Sequence, residues 1–217
     1  MPWSLYRSVP MHVRAMSIRT EATEELSVKQ RLTLFHGTSL NAEQVLSMSP
    51  EEVTFEALLS HNVKAVNIVT AGIRPVALKR MGVAEAAQFR RLGFDALHLV
   101  DPVLCTEANA AYGATALIEV FLVQPSDAVA FAGSEAMEIL GLQVQQLLET
   151  CAGSPIEAQA VLQQISGANP IKGIQANTLL DTGLRASQLR SLGITPKMLA
   201  ELPGAGNSLL SKLGFTL

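Results

Sequence analysis

Residues 173–215 read GIQANTLLDTGLRASQLRSLGITPKMLAELPGAGNSLLSKLGF and contain a repeat of ten or eleven residues. In each unit an apolar residue is followed by Leu five residues later, and usually by a second Leu at eight and Gly at nine. Leu184, Leu189, Leu192 and Gly193 form one such unit. The next unit begins at Ile194 and has Pro203-Gly204 where the other units have a single Gly, an insertion of one residue.

The spacing within one unit predicts a turn followed by a helix of about two turns. Positions five and eight lie three residues apart and so share one helix face, and Gly at position nine suits the left-handed residue that ends a helix. Thr195 and Pro196 are typical of an N-cap and a first helical position. Because a helix this short is unstable alone, each unit must bury its Leu face against its neighbours. The predicted fold class is all-α, a solenoid-like array of short helices. An ordinary helical domain rich in Leu and Gly is the alternative.

The same register recurs earlier in the chain and indicates the domain organisation. Repeat blocks are predicted over 40–100 and 173–217, with a less regular part over 101–172, and 26–217 is expected to form one helical-repeat body. Within the middle, residues 111–123 are predicted to form a buried core helix, and Ser166–Pro170 is the best candidate for an internal boundary.

The register also predicts helix ends and core positions. Helices should end near six glycines: Gly72, Gly82, Gly93, Gly183, Gly193 and Gly214. The residue five after the start of each unit should be buried, which selects Leu58, Ile68, Leu78, Phe89, Leu99, Leu179, Leu189, Leu199 and Leu210.

Composition favours a protein that is covered by partners. Hydrophobic residues make up 48% of the 217 residues and charged residues only 16%, so much of the outside is expected to lie in interfaces. The net charge of -3 argues against a general nucleic-acid binder. Lys79, Arg80, Arg90 and Arg91 make one block locally basic, and a solvated helix face is the favoured interpretation over a ligand site.

The first 25 residues are interpreted as a basic N-terminal arm or a mitochondrial targeting segment. Residues 1–20 contain Arg7, Arg14 and Arg19 and no acidic residue, a composition that resembles mitochondrial transit peptides. Pro2 and Pro10 interrupt any long helix there. A mitochondrial location is therefore expected, with a cytoplasmic one as the alternative, and no transmembrane segment is predicted.

Leu34–Ser39, LFHGTS, resembles the His-Gly-Thr element of ADP-ribosyltransferases, in which the His helps to hold a nicotinamide nucleotide. The resemblance implies a role for His36 and for a distal Glu, for which Glu107 and Glu119 are candidates by default. Because a match of six residues arises easily by chance, a His in a turn before the first repeat is favoured.

Leu202–Gly206 has the Leu-Pro-Gly-x-Gly pattern of a helix-hairpin-helix turn, whose backbone amides grip a DNA phosphate. The repeat explains the same residues together with their surroundings, so the DNA interpretation is not favoured. His12, His36, His61 and His98 are scattered without carboxylates at metal-ligand spacing, and Cys105 and Cys151 match no zinc motif. No metal site, cofactor or catalytic residue is predicted.

Two resemblances to repeat families remain. Leu192–Leu199 resembles the helix starts of the mitochondrial transcription termination factor family, whose repeats hold about three helices and form a basic concave face; this chain lacks the longer sequence period and the charge. The ten-residue units look more like the degenerate tandem short-helix repeats of some protist proteins, which implies no activity.

The expected function is therefore a non-catalytic structural or interaction subunit of a larger, mitochondrial protein assembly. The alternative is an organellar nucleic-acid-binding helical-repeat factor, and an ADP-ribosyltransferase-like enzyme is a distant third. A continuous Lys/Arg stripe on the surface would favour the nucleic-acid factor.

Overall fold

The computed structural model describes residues 45–47, 53–206 and 208–215, and within these ranges it contains helices and no strand. The helices range from four to eleven residues in length. In chain order they are α1 (Phe55–Ser60), α2 (Ala65–Thr70), α3 (Pro75–Arg80), α4 (Ala86–Arg91), α5 (Ala96–Leu99), α6 (Pro102–Tyr112), α7 (Ala114–Phe121), α8 (Pro125–Phe131), α9 (Glu135–Ile139), α10 (Val144–Thr150), α11 (Pro155–Gln164), α12 (Ala176–Asp181), α13 (Ala186–Ser191), α14 (Pro196–Ala200) and α15 (Leu209–Lys212). The predicted all-α array of short helices is confirmed.

The helix ends follow the local sequence signals. The side chains of Thr54, Asp95, Asp101 and Thr195 accept hydrogen bonds from backbone N–H groups in the first turns of α1, α5, α6 and α14. Each of the six glycines predicted to end a helix has a positive φ angle, between 68° and 91°. This left-handed conformation strains most other residues, so the glycines fix where the helices stop.

Several helices pack against the helix that lies three helices further along the chain. Contacts join α3 to α6, α4 to α7, α5 to α8, α6 to α9 and α8 to α11. Later in the chain α10 contacts α12. The partner of α10 is only two helices away because residues 170–173 form a turn in place of a helix. The number of residues between stacked helices is therefore similar in both parts of the chain.

Backbone hydrogen bonds connect successive turns of this coil. The N–H groups of Ala65, Ala176 and Ala186 donate to the carbonyls of Leu92, Pro203 and Leu213 at 2.7, 2.9 and 2.8 Å. In each pair the acceptor lies 27 residues after the donor, and the side-chain bond from Asn109 to the Ile139 carbonyl spans 30. The ten-residue sequence unit is therefore one third of a tertiary repeat of three helices.

One hydrophobic core runs through the described ranges, from Val45 to Phe215. Eight of the nine predicted core residues have no exposed surface, and Leu210 is the exception. Leu210 is half-buried because α15 begins at Leu209, which takes the first helical position and is 4% exposed. The core also continues past Ser166–Pro170, through Leu162, Ile171 and Ile174.

The first position of the helix is also buried in several units, although the predicted register does not include it. The first residue of the helix is a buried Ala in α2, α4, α5, α12 and α13. In three of these helices its amide is the donor of the bond between turns. A small side chain is needed there because the neighbouring turn approaches to hydrogen-bonding distance.

The prediction of a single core helix over residues 111–123 is wrong. The segment contains the end of α6 and all of α7, and the two helices meet at Gly113, with φ 86° and ψ 145°. That conformation is far from helical, so the helix cannot pass through it. Leu117 and Phe121 are buried, but Glu119 is exposed. Among the described helices, none has the length and apolar character to cross a membrane.

Candidate interaction surface

The basic side chains of the N-terminal repeats bind helix ends on the next turn of the coil. Lys79 donates to the Ala111 carbonyl in the last turn of α6, and Arg90 donates to the Val120 carbonyl in the last turn of α7. Arg185 makes the equivalent bond to the Lys212 carbonyl at 3.0 Å. The last carbonyls of a helix have no partner within the helix and carry partial negative charge, so these cations satisfy them.

Four cations, Lys79 and Arg90 among them, lie over aromatic rings. The Arg91 guanidinium lies 5.1 Å from the centre of the Phe55 ring, and Arg90 lies 5.7 Å from that of Phe121. Lys79 lies 5.9 Å from Tyr112, and Arg190 lies 5.0 Å from Phe215. The locally basic block was interpreted as a solvated helix face. These side chains do reach the surface, but Lys79, Arg90 and Arg91 hold neighbouring turns together.

Amide side chains make the corresponding links in the C-terminal half. Gln145 donates to the Thr178 hydroxyl at 2.6 Å and accepts from the Gln175 backbone N–H at 2.9 Å. Gln188 donates to the Gln159 side-chain carbonyl at 3.2 Å. These bonds join α10 to α12 and α11 to α13, so uncharged side chains connect the neighbouring helices there.

Charge is strongly segregated along the coil. No Lys or Arg occurs between Arg91 and Lys172. The same stretch contains nine acidic residues, which are Asp95, Asp101, Glu107, Glu119, Asp127, Glu135, Glu138, Glu149 and Glu157. The stretch includes all of α5 to α11. A continuous Lys/Arg stripe therefore cannot run along the middle of the molecule.

Exposed apolar side chains recur at the second helical position on two stacks of helices, one of which carries Val76 and Val103 on α3 and α6. On the other stack, Val66, Leu97 and Ile156 are the second residues of α2, α5 and α11, and they are 66%, 72% and 76% exposed. Val123, in the turn before α8, is 57% exposed. We call the surface that Val66, Leu97, Val123 and Ile156 form the apolar stripe.

The helices that carry the apolar stripe stand side by side. The Ala65–Leu92 hydrogen bond places the start of α2 beside the turn that leads into α5. At the other end of the stack, a side chain added to Gly133, just after α8, would lie 2.5 Å from the carbonyl of Gln164, the last residue of α11. Glycine is required at 133 by this approach, and equivalent residues of neighbouring helices lie about 8–10 Å apart.

Acidic residues border the apolar stripe on one side. Asp95 is the N-cap of α5, and Asp127 and Glu157 are the third residues of α8 and α11. Burial alone would raise the pKa of Asp95. Hydrogen bonds from the His98 side chain and backbone lower the pKa by more, so it lies below its ordinary value. Asp127 accepts from the N–H groups of Val123 and Gln124. We call Asp95, Asp127 and Glu157 the acidic edge.

The residues singled out for catalysis do not assemble into a site among those described. His36 lies outside the described residues, as do His12 and residues 1–25. Glu107 forms an ion pair with Arg74 across neighbouring turns, and Glu119 points outward from α7. In the described ranges no group of three His, Cys, Asp or Glu side chains is placed to hold a metal ion. Cys105 and Cys151 are buried free thiols.

The Leu202–Gly206 turn is used inside the coil. The Pro203 carbonyl accepts the Ala176 N–H at 2.9 Å, and the Ala205 N–H donates to the Leu202 carbonyl at 3.0 Å. The helices on either side, α14 and α15, have five and four residues. The turn thus stacks on the preceding turn of the coil.

No protein-family model matches the chain, and neither a curated protein nor a solved structure is similar to it.

Proposed function

We propose that this chain is a non-catalytic interaction subunit of a larger protein assembly. The observation that supports the proposal most is the apolar stripe, because Val66, Leu97 and Ile156 expose most of their side chains at equivalent positions on stacked helices. Exposed apolar surface of this kind is stabilised when a partner covers it. The low charged fraction of 16% supports the same conclusion.

The nucleic-acid alternative has less support. Binding to the phosphate backbone needs a run of cations, and the stretch from 92 to 171 has none. Of the basic side chains before it, Lys79 and Arg90 bind helix carbonyls. The transferase alternative depends on His36 alone.

We place the assembly in mitochondria because residues 1–20 carry Arg7, Arg14 and Arg19 without an acid. A fluorescent reporter fused after residue 20 should enter mitochondria, and the same fusion with all three Arg changed to Gln should stay in the cytosol. A cytosolic location of the unaltered fusion would remove the mitochondrial part of the proposal and leave the rest.

The assembly itself is tested by gentle purification of a tagged full-length chain from its native source, followed by sedimentation. The chain should sediment with defined protein subunits in constant ratio, and nuclease treatment should not release them. A chain that sediments as a monomer contradicts the proposal, and release by nuclease supports the nucleic-acid factor. The His36→Ala variant should assemble normally, and loss of nicotinamide-dinucleotide turnover in that variant would favour the transferase.

A further inference from the structure

We propose that the apolar stripe together with the acidic edge binds a basic amphipathic α-helix of a partner protein. The inference rests on the proposed function and names the chemistry of the partner. The occupant is argued from the charge of the surface, from the spacing of the exposed apolar residues and from the state of the chain's own cations.

The charge of the surface selects a basic occupant. Asp95, Asp127 and Glu157 lie in the first turns of neighbouring stacked helices, so they form one negative edge beside the apolar side chains. The sequence has no Lys or Arg between residues 91 and 172, the stretch that supplies all three of these acids. An acidic ligand would be repelled along this edge, and only a basic one gains from its negative charge.

The spacing of the stripe fits a helix that lies along the stack. The exposed residues recur once per stacked helix, about 8–10 Å apart. In an α-helix, residues seven apart on one face are separated by about 10.5 Å along the axis. A partner helix with apolar residues at this interval contacts Val66 and Leu97, then Val123 in the turn before α8, and then Ile156, while Lys or Arg on its flank reaches the acidic edge.

Four cations of the N-terminal repeats are already engaged within the coil. Arg74 is paired with Glu107, and Lys79 and Arg90 are bonded to helix carbonyls on the next turn. Arg91 lies over the Phe55 ring. Using them in trans would break contacts that join the turns of the coil, so these four are poor partners for the acidic edge of a second copy.

The first experiment titrates the full-length chain with a fluorescent helix-forming peptide of about 18 residues, built from Leu and Lys in an amphipathic order. We expect one peptide per chain, with binding weakened when salt is raised from about 0.05 M to about 0.5 M. The same peptide with Glu in place of Lys should not bind. A Leu/Lys peptide that fails to bind, or a Leu/Glu peptide that binds equally, overturns the proposal.

Variants locate the binding surface. The double variant Leu97→Gln/Ile156→Gln alters two exposed residues of the stripe and should weaken binding about tenfold or more. The matched control, Val76→Gln/Val103→Gln, alters the equivalent exposed apolar pair on α3 and α6, where a basic residue, Arg74, is the N-cap of α3, and should bind as the unaltered chain does. Glu157→Lys should weaken binding, and Glu56→Lys on α1 should not. Equal effects of the two double variants place the peptide elsewhere and contradict the proposal.

Two other occupants have distinct outcomes. If residues 1–20 of the same chain cover the stripe, changing Arg7, Arg14 and Arg19 to Gln strengthens peptide binding. If a second copy covers it, the chain is a dimer by light scattering and the Leu97→Gln/Ile156→Gln variant is a monomer. Either outcome overturns the assignment to a partner.

The same variants separate this inference from the proposed function. If the tagged chain co-purifies with defined subunits and the stripe variant keeps all of them, the inference is wrong and the proposed function stands. If nothing co-purifies but the peptide binds at the stripe, the proposed function is wrong and the chemistry assigned to the surface stands.

Discussion

The backbone N–H of Ala186 donates a 2.8 Å hydrogen bond to the carbonyl of Leu213, 27 residues later. Ala65 and Ala176 make equivalent bonds to Leu92 and Pro203. All three donors are buried residues at the first position of a helix. A small side chain at this position lets the next turn of the coil approach, so helix starts and turn stacking depend on each other.

Replacing Ala186 with Leu should therefore destabilise the fold. The larger side chain has no room between the turns, and overpacking of this kind costs about 1–3 kcal/mol. Urea unfolding followed by circular dichroism measures the loss. The neighbouring Ser187→Leu, at an exposed position of the same helix, is the control and should change the free energy of unfolding by about 0.5 kcal/mol or less.

The last repeat tests the corrected register. Leu209 is buried and Leu210 is half-buried. Leu209→Ala should lower the free energy of unfolding by about 2–5 kcal/mol, because it removes a large side chain from the core. Leu210→Ala should have a clearly smaller effect in the same urea titration. The reverse order would restore the register expected from sequence.

Arg90 should stabilise the contact between α4 and α7. Its guanidinium binds the Val120 carbonyl and lies over the Phe121 ring, so Arg90→Gln removes both interactions. We expect a loss of about 0.5–2 kcal/mol, measured by thermal and urea unfolding. Arg80→Gln, at an exposed position on α3, is the matched control with an expected change of about 0.5 kcal/mol or less. Equal losses would contradict the helix-capping role of Arg90.

The two thiols should be inert in the folded protein. Burial raises the pKa of Cys105 and of Cys151 from 9.0 to about 11, with Glu157 adding to the shift at Cys151. Because the raised pKa favours the neutral thiol in the fold, this contribution to stability is complete below pH 9. It is lost as the pH rises towards about 11.

Measurements of thiol labelling and of stability check this behaviour. At pH 8 a disulfide reagent should label Cys105 and Cys151 only after unfolding in urea. The free energy of unfolding should fall between about pH 9 and 11, and a Cys105→Ala/Cys151→Ala variant should lose that part of the decline. Rapid labelling of the native chain at pH 8 would show that the thiols are accessible.

Much of the local structure could be predicted from residue types alone. The Leu spacing placed eight of nine buried positions correctly, and Gly and Pro fixed where most helices end and begin. The apolar composition of residues 111–123 predicts one helix, but Gly113 adopts a conformation that divides the segment between two helices. The candidate interaction surface was expected only in general terms, from the low charge of the chain. Its position requires knowing which helices are neighbours.

The sequence by itself determined the helices, their ends and their apolar faces, because each depends on residues within about ten positions of one another. The tertiary structure decided that three helices make one turn and that Val66, Leu97 and Ile156 share a surface. It also decided the role of Lys79 and Arg90, whose partners are backbone carbonyls on the next turn. Every residue has a carbonyl, so such an acceptor leaves no mark in the sequence and is identified only by where the fold places it.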